Sequence, residues 1–171
     1  MIEIAPDLYV GNQANYEALG LTHVECKLDR EWAVVHACKE PHHREMLRYT
    51  GKAAPKDHPE YLFGYRGNRL ILNLVDVDDP KFVAPELVDA AMSFIRENLR
   101  AGRKVLIHCN QGRSRSPVLA MLFLAPLMGG DGSFEDGEDR FRILYPHYDP
   151  ARGMREYAKA NWARYRLPLA A

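Results

Sequence analysis

Three cysteines in 171 residues are too few, and odd in number, for a disulfide framework, so a reducing compartment and a cytoplasmic location are expected. Charge of one sign is also missing. Twenty-three basic residues cancel 23 acidic ones, so no global basic field draws the chain to nucleic acid or to an anionic membrane. The longest apolar run, Val118 to Met128, contains Pro126 and is too short to span a bilayer. Met1-Ile2-Glu3-Ile4 lacks the basic and apolar regions of a secretory signal. No repeat, low-complexity tract or linker divides the sequence, and 47% hydrophobic residues suffice for one core, so a single domain over 1–171 is expected.

What the chain does have is the segment His108-Cys109-Asn110-Gln111-Gly112-Arg113-Ser114-Arg115-Ser116. Lys104 to His108, with Val105, Leu106 and Ile107 at its centre, predicts a short buried parallel strand before it. Pro117 and the apolar residues that follow predict a buried helix starting near Ser114 to Ser116, where a proline's missing N–H costs nothing. A loop at a strand-to-helix junction can turn the backbone N–H groups of residues 110 to 115 inward, and the helix N-terminus adds about half a positive charge. That arrangement fits a phosphate ester held by Asn110, Gln111, Gly112, Arg113, Ser114 and Arg115. Gly112 permits positive φ and a close backbone approach.

The same field stabilises negative charge on the Cys109 sulfur, which makes it a nucleophile for in-line attack on phosphorus. Arg115 can grip two equatorial oxygens with its planar fork, a geometry lysine lacks. Ser116 can hydrogen-bond the sulfur when it leaves, and His108 is read as orienting the loop rather than moving a proton. A carboxylic acid for the leaving oxygen is sought in Asp76-Val77-Asp78-Asp79-Pro80, after a predicted strand at Arg69 to Asp76, since ligands collect at strand ends in open α/β sheets. The residues themselves leave Asp76, Asp78 and Asp79 equally open.

His-Cys-x5-Arg-Ser, the strand-plus-aspartate segment before it and the opening Ile4-Ala5-Pro6-Asp7-Leu8-Tyr9-Val10-Gly11 resemble the cysteine-dependent protein tyrosine phosphatases, nearest the compact dual-specificity branch. The resemblance implies Cys109 as nucleophile, Arg115 as transition-state clamp and Ser116 as leaving-group aid. It favours Asp78 as the acid, 31 residues before Cys109. It implies hydrolysis of phosphotyrosine, with phosphoserine and phosphothreonine open, on a phosphorylated protein partner and without a cofactor. Pro146-His147-Tyr148-Asp149-Pro150-Ala151-Arg152-Gly153 departs from the family's pattern after the loop, and residues 25–68 form a longer region than its minimal form.

In that longer region Trp32 to Cys38 predicts another strand, and a parallel placement would bring Lys39 and His42 to the rim as substrate-recognition residues. His36, Cys38, His42 and His43 have ligand-type side chains, but their spacing matches no closed zinc pattern, so no metal is expected. Cys26 or Cys38 could instead pair with an oxidised Cys109. Helices are predicted near residues 12–19, 41–48, 85–100, 114–128, 133–142 and 151–164. The clearest is Pro85 to Arg100, where Leu87, Val88, Ala91, Met92, Ile95 and Leu99 recur at helical spacing. Alternating strands and helices predict an α/β fold with a mainly parallel central sheet of about five strands and helices on both faces. Sulfurtransferases and arsenate reductases also use cysteine-based anion loops, but Ser116 and the upstream aspartates favour phosphate-ester hydrolysis. A phosphatase for a non-protein polyanion and a non-catalytic phosphoprotein-binding module are the alternatives.

Overall fold

The computed structural model describes residues 1–20, 31–128 and 130–167. Every residue from Trp32 to His36 and from Val105 to Cys109 is buried. Strands with no polar face need cover on both sides, which is the situation of central parallel strands. Six strands, β1 (Ile2–Ala5), β2 (Leu8–Asn12), β3 (Trp32–His36), β4 (Phe63–Tyr65), β5 (Arg69–Leu72) and β6 (Lys104–Cys109), form one sheet in the order β1-β2-β6-β3-β5-β4. The four inner strands are parallel, and β1 and β4 close the edges antiparallel to their neighbours. These short edge strands account for six strands rather than about five. Each is joined to its neighbour by a tight turn with one left-handed residue, Asp7 (φ 59°) and Gly67 (φ 56°).

The helices are α1 (Gln13–Ala18), α2 (Arg44–Leu47), α3 (Pro85–Arg100), α4 (Arg115–Leu124), α5 (Phe134–Leu144) and α6 (Arg152–Arg166). α1 is started by Asn12, whose side chain accepts from Asn15 N at 2.9 Å while Asn15 Oδ1 accepts from Asn12 N at 3.1 Å. Side chains alternate along β6, and the two faces bury different partners. Val105, Ile107 and Cys109 join the main core under α3 to α6. Leu106 faces Tyr16 of α1, with Trp32 and Val34.

Two predicted elements are shorter than expected. The strand at 69–76 stops at Leu72 because the next backbone groups are taken elsewhere: Asn73 N donates to Leu62 O at 2.8 Å, and Leu74 O accepts from Lys39 N at 2.9 Å. The helix at 114–128 is α-helical only to Leu124, and a tighter turn at Ala125–Leu127 carries Pro126. In register, Asn12 faces Cys109 and His36 faces His108, so β2, β3 and β6 end at one edge of the sheet. The loops leaving that edge build the site.

Candidate active site

Cys109 ends β6 with 1% of its surface exposed. The chain then folds back over the sulfur. Gly112 N donates to Sγ at 3.3 Å, and Ser116 Oγ lies 3.2 Å from both Sγ and Gly11 O, so its one hydrogen serves one of them at a time. Gly112 has φ 72°, and a Cβ there would lie 2.9 Å from Gly11 O. Only glycine fits between this loop and β2. Tyr145 OH pins the loop from outside by donating to Gly112 O at 2.7 Å.

Arg115 opens α4 and is 8% exposed. Its Nη1 donates to Leu74 O at 3.2 Å and its Nη2 to Asn110 Oδ1 at 2.8 Å. Nε is 3.0 Å from Asp76 Oδ2, an ion pair by distance in which the N–H is not aimed at the oxygen. Asp76 is held by Ser114, whose Oγ donates to Oδ1 at 2.6 Å and accepts from Ala151 N at 3.0 Å. Three loops thus surround a cleft of about 300 Å³ lined by Asp76, Cys109, Gln111, Arg113, Ser114, Asp149, Pro150 and Ala151. The cleft's walls carry both signs of charge. Arg113 Nη2 donates to Asp149 Oδ2 at 2.7 Å.

The other sequence-derived residues lie away from this cleft. Asp78 is exposed, and its carbonyl accepts from Arg152 Nε at 3.2 Å. Asp79 caps the turn at Pro80–Phe82, and its bond to Lys81 Nζ at 2.6 Å holds its carboxyl below the usual range. Lys39 Nζ donates to Lys52 O and lies 3.8 Å from Glu40 Oε1. His42 bonds Gln13 Oε1 at 2.9 Å on the α1 side of the sheet. His108 also points there: its carbonyl accepts from Ala37 N at 2.8 Å, while its ring stacks on Tyr16 at 4.8 Å and meets His36 Nδ1 at 2.7 Å. Burial depresses the His108 imidazole to about 3 and pushes the Cys38 thiol up to about 12. Cys26 lies outside the described residues.

Sequence reasoning missed Tyr145, at the end of α5, and Asp149 and Ala151, which reach the loop from the segment that departs from the family pattern. Gly11 was quoted only as the end of an opening motif, although Gly11 O sits against Ser116 and Gly112. No signal local to those positions marks them, because each contact spans more than 30 residues of chain.

No family model matches the chain. Tyrosine-protein phosphatase vhp-1 of Caenorhabditis elegans is 35% identical over 69 residues, 39% of this chain and 10% of that protein. The chain therefore spans about a tenth of that curated relative. Among solved structures, DUSP15 superposes with a TM-score of 0.61 at 18% identity over 97% of this chain and 90% of its own. Human tyrosine phosphatase-like serine/threonine/tyrosine-interacting protein gives 0.59 at 18% identity, over 95% of each chain. PTPMT1 in complex with PI(5)P gives 0.58 at 15%, over 95% and 94%. The chain has the dual-specificity phosphatase fold and within it resembles the cysteine-dependent protein tyrosine phosphatases.

Proposed function

We propose that residues 1–171 form one catalytic domain that hydrolyses phosphate monoesters of proteins, phosphotyrosine first among them, through a phosphoryl-cysteine. The observation that carries this reading is the Cys109 sulfur at the foot of a loop, within 3.3 Å of two donors, with the Arg115 guanidinium bonded to Asn110 of the same loop. Those donors hold the sulfur in place for attack, and Arg115 can exchange its neutral partners for phosphate oxygens. The thiolate forms an S–P bond as the P–O bond to the leaving group breaks, and a carboxyl proton passes to the departing oxygen. Water then forms a P–O bond as the S–P bond breaks, the carboxylate takes the water's proton and Ser116 donates to the leaving sulfur.

Geometry favours Asp76 over Asp78 as that carboxyl, because Asp76 lines the cleft over Cys109 and Asp78 does not. Arg113, which lines the cleft, is paired with Asp149, and Lys39 lies away from it on Lys52 O and Glu40, so the cleft suits a single phosphate better than a polyanion. A phosphorylated protein in the cytoplasm is the corresponding partner.

Turnover of para-nitrophenyl phosphate in EDTA tests this. Cys109→Ser abolishes activity, and Asp76→Asn lowers kcat by about 10²-fold, whereas Asp78→Asn stays near wild type. Full activity in Cys109→Ser rejects the mechanism, and the opposite ranking of the two aspartates returns the acid to Asp78. A silent wild type that binds phosphotyrosine peptide makes the domain a binding module.

A further inference from the structure

Three histidines from separate stretches of chain meet on the face of the sheet away from Cys109. His36 ends β3, His108 is the penultimate residue of β6, and His42 turns in from the segment before α2. Their ring centroids are 4.0, 4.7 and 5.3 Å apart, and Tyr16 packs against all three. One ring nitrogen from each lies within 4.8 Å of the others. We infer that His36, His42 and His108 form a binding site for one borderline transition-metal cation of the Zn²⁺ class.

Tetrahedral zinc holds imidazole nitrogens at about 2.0–2.1 Å, which puts them about 3.3 Å from one another. The His36–His108 pair, at 2.7 Å, must open slightly, and His42 must close in. His42 is the half-buried member, and rotating it breaks its hydrogen bond to Gln13, so the adjustment falls on the side chain best able to make it. Imidazole binds metal as the neutral ring, and the site is withdrawn from water, with His36 1% and His108 0% exposed. His36 and His42 line a cleft of about 460 Å³ that also holds Gln13, Glu17 and Glu45, giving a cation a way in and an oxygen donor or water a fourth position. Arg66 and Arg69 line the same cleft and oppose a cation, although Arg66 is paired with Glu60 at 2.7 Å and the two glutamates offset the charge. The ring of His108 and the sulfur of Cys109 leave β6 on opposite faces, so the metal site is separate from the proposed reaction.

The test uses the full chain stripped with EDTA and carrying Cys109→Ser, a substitution that removes the active-site sulfur as a competing ligand. Titration with Co²⁺ gives one equivalent bound, with visible d–d bands and no thiolate-to-metal charge transfer, and Zn²⁺ displaces it. His42→Ala weakens binding by at least about 10–100-fold, whereas Gln13→Ala, which releases the His42 ring and removes no ligand, does not. Zn²⁺ raises Tm in the parent and in Gln13→Ala but not in His42→Ala. Absence of a Co²⁺ spectrum in the parent, a charge-transfer band marking a cysteine ligand, or equal affinity in His42→Ala each overturns the proposal. The parent's spectrum decides the matter even where a histidine variant does not fold.

Discussion

At Arg115 one guanidinium reaches Leu74 O, Asn110 Oδ1 and Asp76, so the side chain proposed to hold phosphate also ties together the loops around the cleft. A lysine keeps the charge and loses the fork. Arg115→Lys is therefore expected to lower kcat by about 10²–10³-fold with para-nitrophenyl phosphate, the size of losing one preorganised donor to a developing anion. The loss in Tm is small by comparison, because Leu74 O keeps its bond from Lys39 N and the exposed Asn110 can turn to water. An Arg115→Lys enzyme within about threefold of wild type would mean that charge alone suffices. Gly112 and Ser116 were legible at this scale because their roles depend on residues a few positions away along the chain. The choice among Asp76, Asp78 and Asp79 was not, since it depends on where Leu74 leaves the sheet.

Between elements, the segment from Asp149 to Gly153 links the two loops of the site. Asp149 N donates to Arg113 O at 2.8 Å, Ala151 N to Ser114 Oγ at 3.0 Å, and Gly153 N to Val77 O at 3.0 Å. The start of α6 thus holds the cysteine loop and the aspartate loop in one relation. A Cβ at Gly153 would lie 2.4 Å from Val77 O and 2.9 Å from both Asp78 C and Asp79 N, all backbone atoms that cannot rotate aside. Gly153→Ala is expected to displace residues 76–79 and cut kcat by about tenfold or more, at a stability cost of about 1–3 kcal/mol. Steady-state kinetics beside a urea melt check this, and an unchanged kcat would separate α6 from the chemistry. In sequence this segment was visible only as a departure from the family's pattern. Its contacts cross from the C-terminal helix to two loops more than 30 residues upstream, and no periodicity records such a meeting.

For the whole molecule, the buried histidines set a pH dependence. Their folded values lie below the ordinary 6.5, about 3 for His108 and about 4 for His42, with burial as the leading cause. Arg69 and Arg115 act in the same direction, while Glu17 opposes at His42, and Glu45 and Arg66 line the cleft beside them. Between 6.5 and the folded values the unfolded chain binds more protons, so stability is full above about 6.5 and is lost as pH falls through that window. Each histidine kept neutral costs about 1.4 kcal/mol per pH unit there, roughly 3–6 °C in Tm. Metal-free protein should melt several degrees lower at pH 5 than at pH 7, and His42→Gln should flatten the slope. A Tm independent of pH across that range would show that the rings protonate without unfolding.

The fold around the loop was readable from residues alone, and the proposed reaction rests on the same segment, because a strand, a Cys-x5-Arg loop and a following helix are set by neighbours in the chain. The same holds for α3, which spans Pro85–Arg100 as its apolar spacing predicts. Tertiary structure decided which aspartate lines the cleft, which cations are already paired, and that His42 leaves the rim to join His36 and His108. Those outcomes come from strand order and from hydrogen bonds between distant segments, and hydrophobic burial selects them only once the sheet has assembled.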